Sequence, residues 1–181
     1  EGDATAPLSV YGKSKRDGEL AVQHSGVRYL ILRTSWVYAA RGHNFIKTML
    51  RLAAERDALS VINDQVGAPT GADLLADVTA QTIAQVVAGR GETGLFHCVA
   101  AGQTSWFDYA RFVIEWARTQ GMPVKVKSEA IRAVATEAYP TPAQRPRNSR
   151  LSTEKLQRVF SLTLPPWQHG VERMLREAYG R

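Results

Sequence analysis

The 181 residues, 44% of them hydrophobic and carrying a formal net charge of +6, suit one globular domain with a substantial core. No apolar run approaches the roughly 18 residues of a membrane span and no secretory leader pattern opens the sequence, so a cytoplasmic protein without membrane contact is expected. The single cysteine, Cys98, excludes an internal disulfide and reads as a small core residue, and four widely separated histidines leave no zinc spacing. A sequence pI near 9.7 raises nucleic acid as a partner. The basic residues are dispersed, however, with no aromatic interleaving and no nucleic-acid motif, so none is expected. A cleft that concentrates an anionic diphosphate accounts for the charge equally well.

In chain order, residues 1–7 read as a loop entering a helix, with Pro7 in its first turn, and Ser25-Gly26 should stop that helix after His24. Tyr11 and Lys15, four apart, share one helix face while Lys13 points away. A fixed cation lowers the phenol from its free pKa of roughly 10 and fits it to pass a proton to a carbonyl oxygen as hydride reaches the carbon. The same spacing also occurs on solvated helix faces that do no chemistry.

Residues 27–32 form a β-rich apolar run of the kind buried on both faces of a parallel sheet, and helix then strand is α/β order. Trp36 and Tyr38 fall where that strand should end, the side on which open α/β sheets bind ligands; from the residues alone they read as core aromatics. Asn44 suits the N-cap of a helix reaching Arg56, with Phe45, Ile46, Met49, Leu50, Leu52 and Ala53 as its apolar stripe. A second strand at 59–62 precedes a polar loop at 63–71, where Gly67 and Pro69 fix an irregular backbone. Residues 72–88 should be an amphipathic helix burying Leu74, Leu75, Val78, Ile83, Val86 and Val87, with Asp73 complementing the dipole in its first turn.

The run Gly89-Arg90-Gly91-Glu92-Thr93-Gly94 has the G-x-G-x-x-G spacing of a dinucleotide fingerprint in reversed context. A helix precedes it and a strand at 95–99 follows, so no helix N-terminus is aimed at a pyrophosphate, and it reads as a helix stop and loop. Ser105 and Asp108 have capping-box-like spacing at the start of a helix that buries Ala110, Phe112, Val113, Trp116 and Ala117 and ends at Gly121. That helix reads as structural. Residues 122–127 suggest a short edge strand, followed by a helical or irregular segment to Ala138. Three prolines between Pro140 and Pro146 make the next stretch an ordered loop or a linker. Ser149 can cap or meet a ligand, Ser152 can cap a helix at 153–160, and Trp167, Val171, Met174 and Leu175 mark a last amphipathic helix at 165–179.

Taken together, Tyr11-Gly12-Lys13-Ser14-Lys15, Arg33-Thr34-Ser35-Trp36-Val37-Tyr38, Asn44-Phe45, Asp64-Gln65-Val66-Gly67-Ala68-Pro69-Thr70 and Arg145-Pro146-Arg147-Asn148-Ser149 resemble the extended short-chain dehydrogenase/reductases acting on nucleotide sugars. Within that superfamily the resemblance is nearest to the dTDP-4-dehydrorhamnose reductases. It implies a partial Rossmann-like parallel sheet with flanking helices plus a smaller α/β substrate lobe. Residues 1–35 and 72–99 would be cofactor-side elements, and 36–71 and 100–181 mainly the lobe.

The implied chemistry is reduction of a dTDP-4-keto sugar by NADPH or NADH. Tyr11 would be the proton donor, with Lys15 lowering its pKa and holding the nicotinamide ribose. Substrate contacts would come from Trp36, Asn44, Asp64, Gln65, Thr70 and Arg145, whose guanidinium fork matches phosphate oxygens. Asp73 would carry a magnesium ion at a homodimer contact. The family's glycine-rich region precedes the matching part, so the chain is expected to resemble the C-terminal part of such an enzyme and to turn over little by itself. Two rivals remain: another nucleotide-sugar reductase, epimerase or dehydratase of the superfamily, and a non-catalytic cofactor-binding regulatory subunit.

Overall fold

A computed structural model describes residues 1–139 and 145–180. Helix α1, Val10–His24, opens on Ser9, whose hydroxyl accepts the Gly12 N–H at 3.1 Å. Pro7 therefore lies before the helix rather than in its first turn. No residue of α1 is buried; it is tied to strand β1, Leu30–Arg33, by a bidentate ion pair from Arg33 to Glu19, 2.6 Å at its shortest. After β2, Val37–Tyr38, comes α2, Phe45–Glu55, where the Asn44 side chain accepts the Lys47 N–H as expected of an N-cap. Strand β3, Leu59–Ile62, lies where the apolar run placed it. The polar loop that follows holds two short strands, β4 at Val66–Gly67 and β5 at Thr70–Gly71.

Helix α3, Ala72–Val87, buries Val78, Thr82 and Val86, while Ile83 and Val87 are exposed. The expectation for those two is corrected by a strict four-residue step: the inward row passes through Thr82, leaving Ile83 and Val87 about 100° round the helix. Strand β6, Gly94–His97, follows the glycine loop, in which Gly89 and Gly94 take positive φ, so that loop is a helix stop as read. Strand β7, Thr104–Ser105, leads into α4, Trp106–Thr119. One half of a capping box forms: the Ser105 hydroxyl accepts the Asp108 N–H at 3.0 Å, while the Asp108 carboxylate takes the Ser105 hydroxyl proton at 2.8 Å rather than the Ser105 backbone N–H. The buried side differs from expectation, since Tyr109 and Ile114 are fully buried and Phe112 and Trp116 only partly so.

No strand forms at 122–127. The N–H groups of Lys125 and Val126 instead donate to Ala53 O at the end of α2, at 2.8 and 3.1 Å, and Val126 is wholly buried there. The strand lies further on: β8, Ile131–Val134, pairs in parallel with β3 from Leu59 opposite Ile131 to Ile62 opposite Val134. Helix α5 is Glu154–Phe160, its first N–H reached by the Ser152 hydroxyl at 3.4 Å, and α6 is Trp167–Tyr179, burying the four residues expected of it.

The architecture is α/β. Parallel pairs β1–β6, β2–β5 and β3–β8 and the antiparallel pair β4–β7 are covered by the helices. One apolar core lies under α2, α4 and α6, a second between β3, β8 and α4, and a third between α3, β6 and α5. Among the described residues no helix is long and apolar enough to cross a membrane.

Candidate functional site

After β1 the backbone turns sharply. Trp36 has φ of 50°, a conformation that costs a non-glycine residue about 1–3 kcal/mol and must be held by its surroundings. Two contacts hold it. The indole stacks on Trp106 with ring centres 3.7 Å apart and planes 13° from parallel, and it lies against the Gly67 backbone, where a Cβ would come within 2.7 Å of Trp36 Cε2. Phe45, the first residue of α2, tilts against Trp106 at 4.5 Å and against Tyr109 at 5.1 Å. Two loops and the ends of two helices thus build one aromatic wall.

The wall lines a cavity of about 490 Å³ with Asn44, Gln65, Tyr139 and Arg145 among its polar groups. A smaller hollow of about 290 Å³ shares Trp36, Gln65, Trp106 and Arg145 and adds Pro146 and Ser149. A pocket of a few hundred cubic ångströms, mainly apolar with a few convergent polar groups, is what a small organic ligand requires. A groove of similar size, about 520 Å³, runs along α4 past Arg111, Glu115 and Glu172 but gathers none of the expected site residues.

The structure therefore brings together Trp36, Asn44, Gln65 and Arg145. Asn44 also has local work, with its amide donating to Ala39 O at 2.7 Å while its oxygen caps α2. Thr70 stands apart: it is wholly buried, and its hydroxyl donates to Ala68 O at 3.0 Å and accepts the Ala100 N–H at 3.2 Å, so it builds the loop rather than facing the cavity. Asp64 lines neither hollow. Its carboxylate accepts the Thr136 hydroxyl at 2.7 Å and the Thr136 N–H at 3.0 Å, with Arg147 3.8 Å away. The expected proline loop at 140–144 lies outside the described residues.

The Thr136 hydroxyl bond, followed by its backbone bond and the Arg147 charge, holds the Asp64 carboxyl below its ordinary range against a smaller opposing effect of burial. A folded pKa below the unfolded value of roughly 3.9 stabilises the protein fully above that pH, and the contribution is lost as pH falls through the lower native value. In acid-unfolding curves Asp64→Asn should be the less stable protein at pH 6, and the gap to wild type should close below about pH 4. A gap independent of pH would show that the charge on Asp64 is not what stabilises the loop.

Tyr11 and Lys15 occupy one face of α1, with the lysine Nζ 5.5 Å from the phenol ring centre. Tyr11 is 72% exposed, and neither residue lines the aromatic cavity. Both side chains face solvent on α1. Asp73 sits in the first turn of α3, where its carboxylate accepts the Leu74 N–H at 2.8 Å and pairs with Arg173. Among the described residues no three His, Cys, Asp or Glu side chains converge to hold a metal. These residues do not fit a magnesium ion within one chain, because Asp73 is already matched by a guanidinium and only one further carboxylate among the described residues, Asp77, lines the same hollow.

Sequence reasoning passed over Trp106, Tyr139 and Thr136. Trp106 carried a usable signal: four residues before Ala110 and seven before Val113, both read as buried, it shares their helix face and so points inward. Thr136 carried none, since its role comes from a partner 72 residues away.

The RmlD substrate binding domain model matches residues 1–179. The dTDP-4-dehydrorhamnose reductase of Escherichia coli (strain K12) is 58% identical over 99% of this chain and 59% of its own length, and that of Burkholderia thailandensis is 43% identical over 98% and 61%. Among solved structures, dTDP-4-dehydrorhamnose reductase from Bacillus anthracis in complex with NADP superposes with a TM-score of 0.85 at 34% identity, covering 98% of this chain and 58% of that one. The chain thus spans about three fifths of the length of these relatives. With the match running from the first residue to the end of α6, the chain belongs to the RmlD substrate binding domain family.

Proposed function

We propose that this chain forms the substrate-binding part, with the tyrosine–lysine pair, of an NAD(P)H-dependent reductase that converts dTDP-4-dehydro-L-rhamnose to dTDP-L-rhamnose. The observation that carries the reading is the aromatic cavity: stacked Trp36 and Trp106 give an apolar wall for base or sugar, while Asn44, Gln65 and Arg145 supply amides and a guanidinium at its edge. The names of its relatives and the NADP held by one of them support the same reaction. NAD(P)H, when bound, supplies hydride to the sugar carbonyl. Tyr11 then gives its phenolic proton to the oxygen that gains charge, and Lys15 favours the resulting phenolate and reaches the ribose hydroxyls. Arg145 holds the diphosphate through paired hydrogen bonds.

In this reading residues 1–35 and 72–99 serve the cofactor, and 36–71 and 100–181 the sugar nucleotide. A lone buried thiol at Cys98 suits a reducing compartment such as the cytoplasm.

The test is direct, because the cavity wall is fluorescent. Titrating dTDP into the chain should quench tryptophan emission saturably, and the quenching should be lost in Trp106→Phe. A response equal for dTDP and inorganic pyrophosphate would reduce the site to a phosphate contact, and no saturable response would remove the nucleotide-sugar reading.

A further inference from the structure

Four side chains beside the cavity are joined in a chain whose hydrogen-bond direction can have only one sense. Asp64, as a carboxylate, can only accept. The Thr136 hydroxyl gives it its single proton, at 2.7 Å, and is left with lone pairs alone. Gln65, 5% exposed, must therefore turn its NH₂ toward Thr136 Oγ1, at 3.2 Å. That orientation leaves the Gln65 carbonyl oxygen toward Trp106, whose indole N–H can only donate and meets it at 3.2 Å. Reversing the Gln65 amide would set donor against donor at one end and acceptor against acceptor at the other. The far end of the series is the ring stacked on Trp36 at 3.7 Å.

We infer that Thr136, acting through Gln65, is a positioning residue for Trp106 and hence for the aromatic wall of the cavity. Asp64 and Thr136 touch no ligand in this arrangement; the first sets the direction of the series and the second transmits it. The strained backbone at Trp36 makes the device necessary, because its stacking partner must be held in one plane for the turn to be supported. The functional half of the inference rests on the nucleotide-sugar reading, whereas the structural half does not.

The two halves can be read separately on the full chain labelled with nitrogen-15. Four tryptophans give four indole N–H signals, and Trp106→Phe identifies one of them. In Thr136→Val the Trp106 signal should move upfield, as expected when a hydrogen bond to a held acceptor is weakened, with the other three in place. Binding of dTDP should weaken roughly three- to tenfold, the scale of one net hydrogen bond. Thr136→Ser, which keeps the hydroxyl, should restore both. If Thr136→Val does not fold, Gln65→Leu removes the acceptor itself and should move the same signal. An unmoved Trp106 signal in either folded variant overturns the inference. A moved signal in a chain that binds no dTDP upholds the positioning and defeats the nucleotide reading instead.

Discussion

Tyr11→Phe should lower turnover by about 10²–10⁴-fold, the usual worth of a positioned general acid, while leaving dTDP affinity unchanged. The second half follows from position, since Tyr11 lies on α1 and lines no part of the aromatic cavity. The proper sample is the chain completed with the segment of the E. coli relative that it does not span, assayed by ketosugar-dependent NADPH oxidation. Lys15→Met should also lower turnover and, unlike Tyr11→Phe, raise the KM for the cofactor, because in the proposed mechanism one ammonium serves both the phenol and the ribose. Electrostatic help of this kind is largest where water is excluded. A phenol that is 72% exposed therefore gains its full effect only when substrate and cofactor cover it. Unchanged turnover in Tyr11→Phe would take the residue out of the mechanism.

Gly67→Ala should have the next largest effect. The added Cβ would sit 2.7 Å from Trp36 Cε2 and 3.0 Å from two further ring atoms, closer than carbon atoms pack. The glycine lies in β4, paired to Thr104 of β7, and the neighbouring Val66 is bonded to both Arg147 O and Ser149 N, so the backbone is pinned on two sides. The ring must move instead. Overpacking of this kind costs about 1–3 kcal/mol, and here it would separate Trp36 from Trp106. The expected readouts are a lower unfolding midpoint in urea and a dTDP affinity weakened by roughly tenfold or more, the equivalent of a shift above 1.4 kcal/mol. The double variant Gly67→Ala with Trp36→Ala should recover the stability lost to the clash but not the affinity. If the single variant binds dTDP normally, the stack is not part of the site.

How far the sequence discloses the molecule depends on how local the cause is. The Asn44 cap and the Ser105–Asp108 box are settled within three residues, and both are found where read. The Leu59–Ile62 strand and the buried face of α6 follow from short-range periodicity. Ile131–Val134 is a strand because β3 offers it an edge about 70 residues earlier, and nothing nearby announces that pairing. Residues 122–127 fail as a strand for the converse reason, their N–H groups being taken by the end of α2. At the cavity, residue type pointed to Trp36 and Arg145, and both line it. It could not separate Gln65, which borders the cavity, from Thr70, two residues past Ala68, which is enclosed in the loop. Alternation within an irregular turn has no fixed period from which to infer direction.

Cys98 follows β6 with no accessible surface, in the core shared by α3, β6 and α5, and burial pushes its thiol pKa up to about 11. Thiolate is the reactive form, so a modifying reagent at neutral pH finds almost none of it in closed molecules. With one cysteine in the chain, the rate of its labelling becomes a clock for how often that layer parts. Any ligand that clasps α1 and β1 from outside should slow the clock, whereas one that fills only the tryptophan cavity should leave it nearly unchanged.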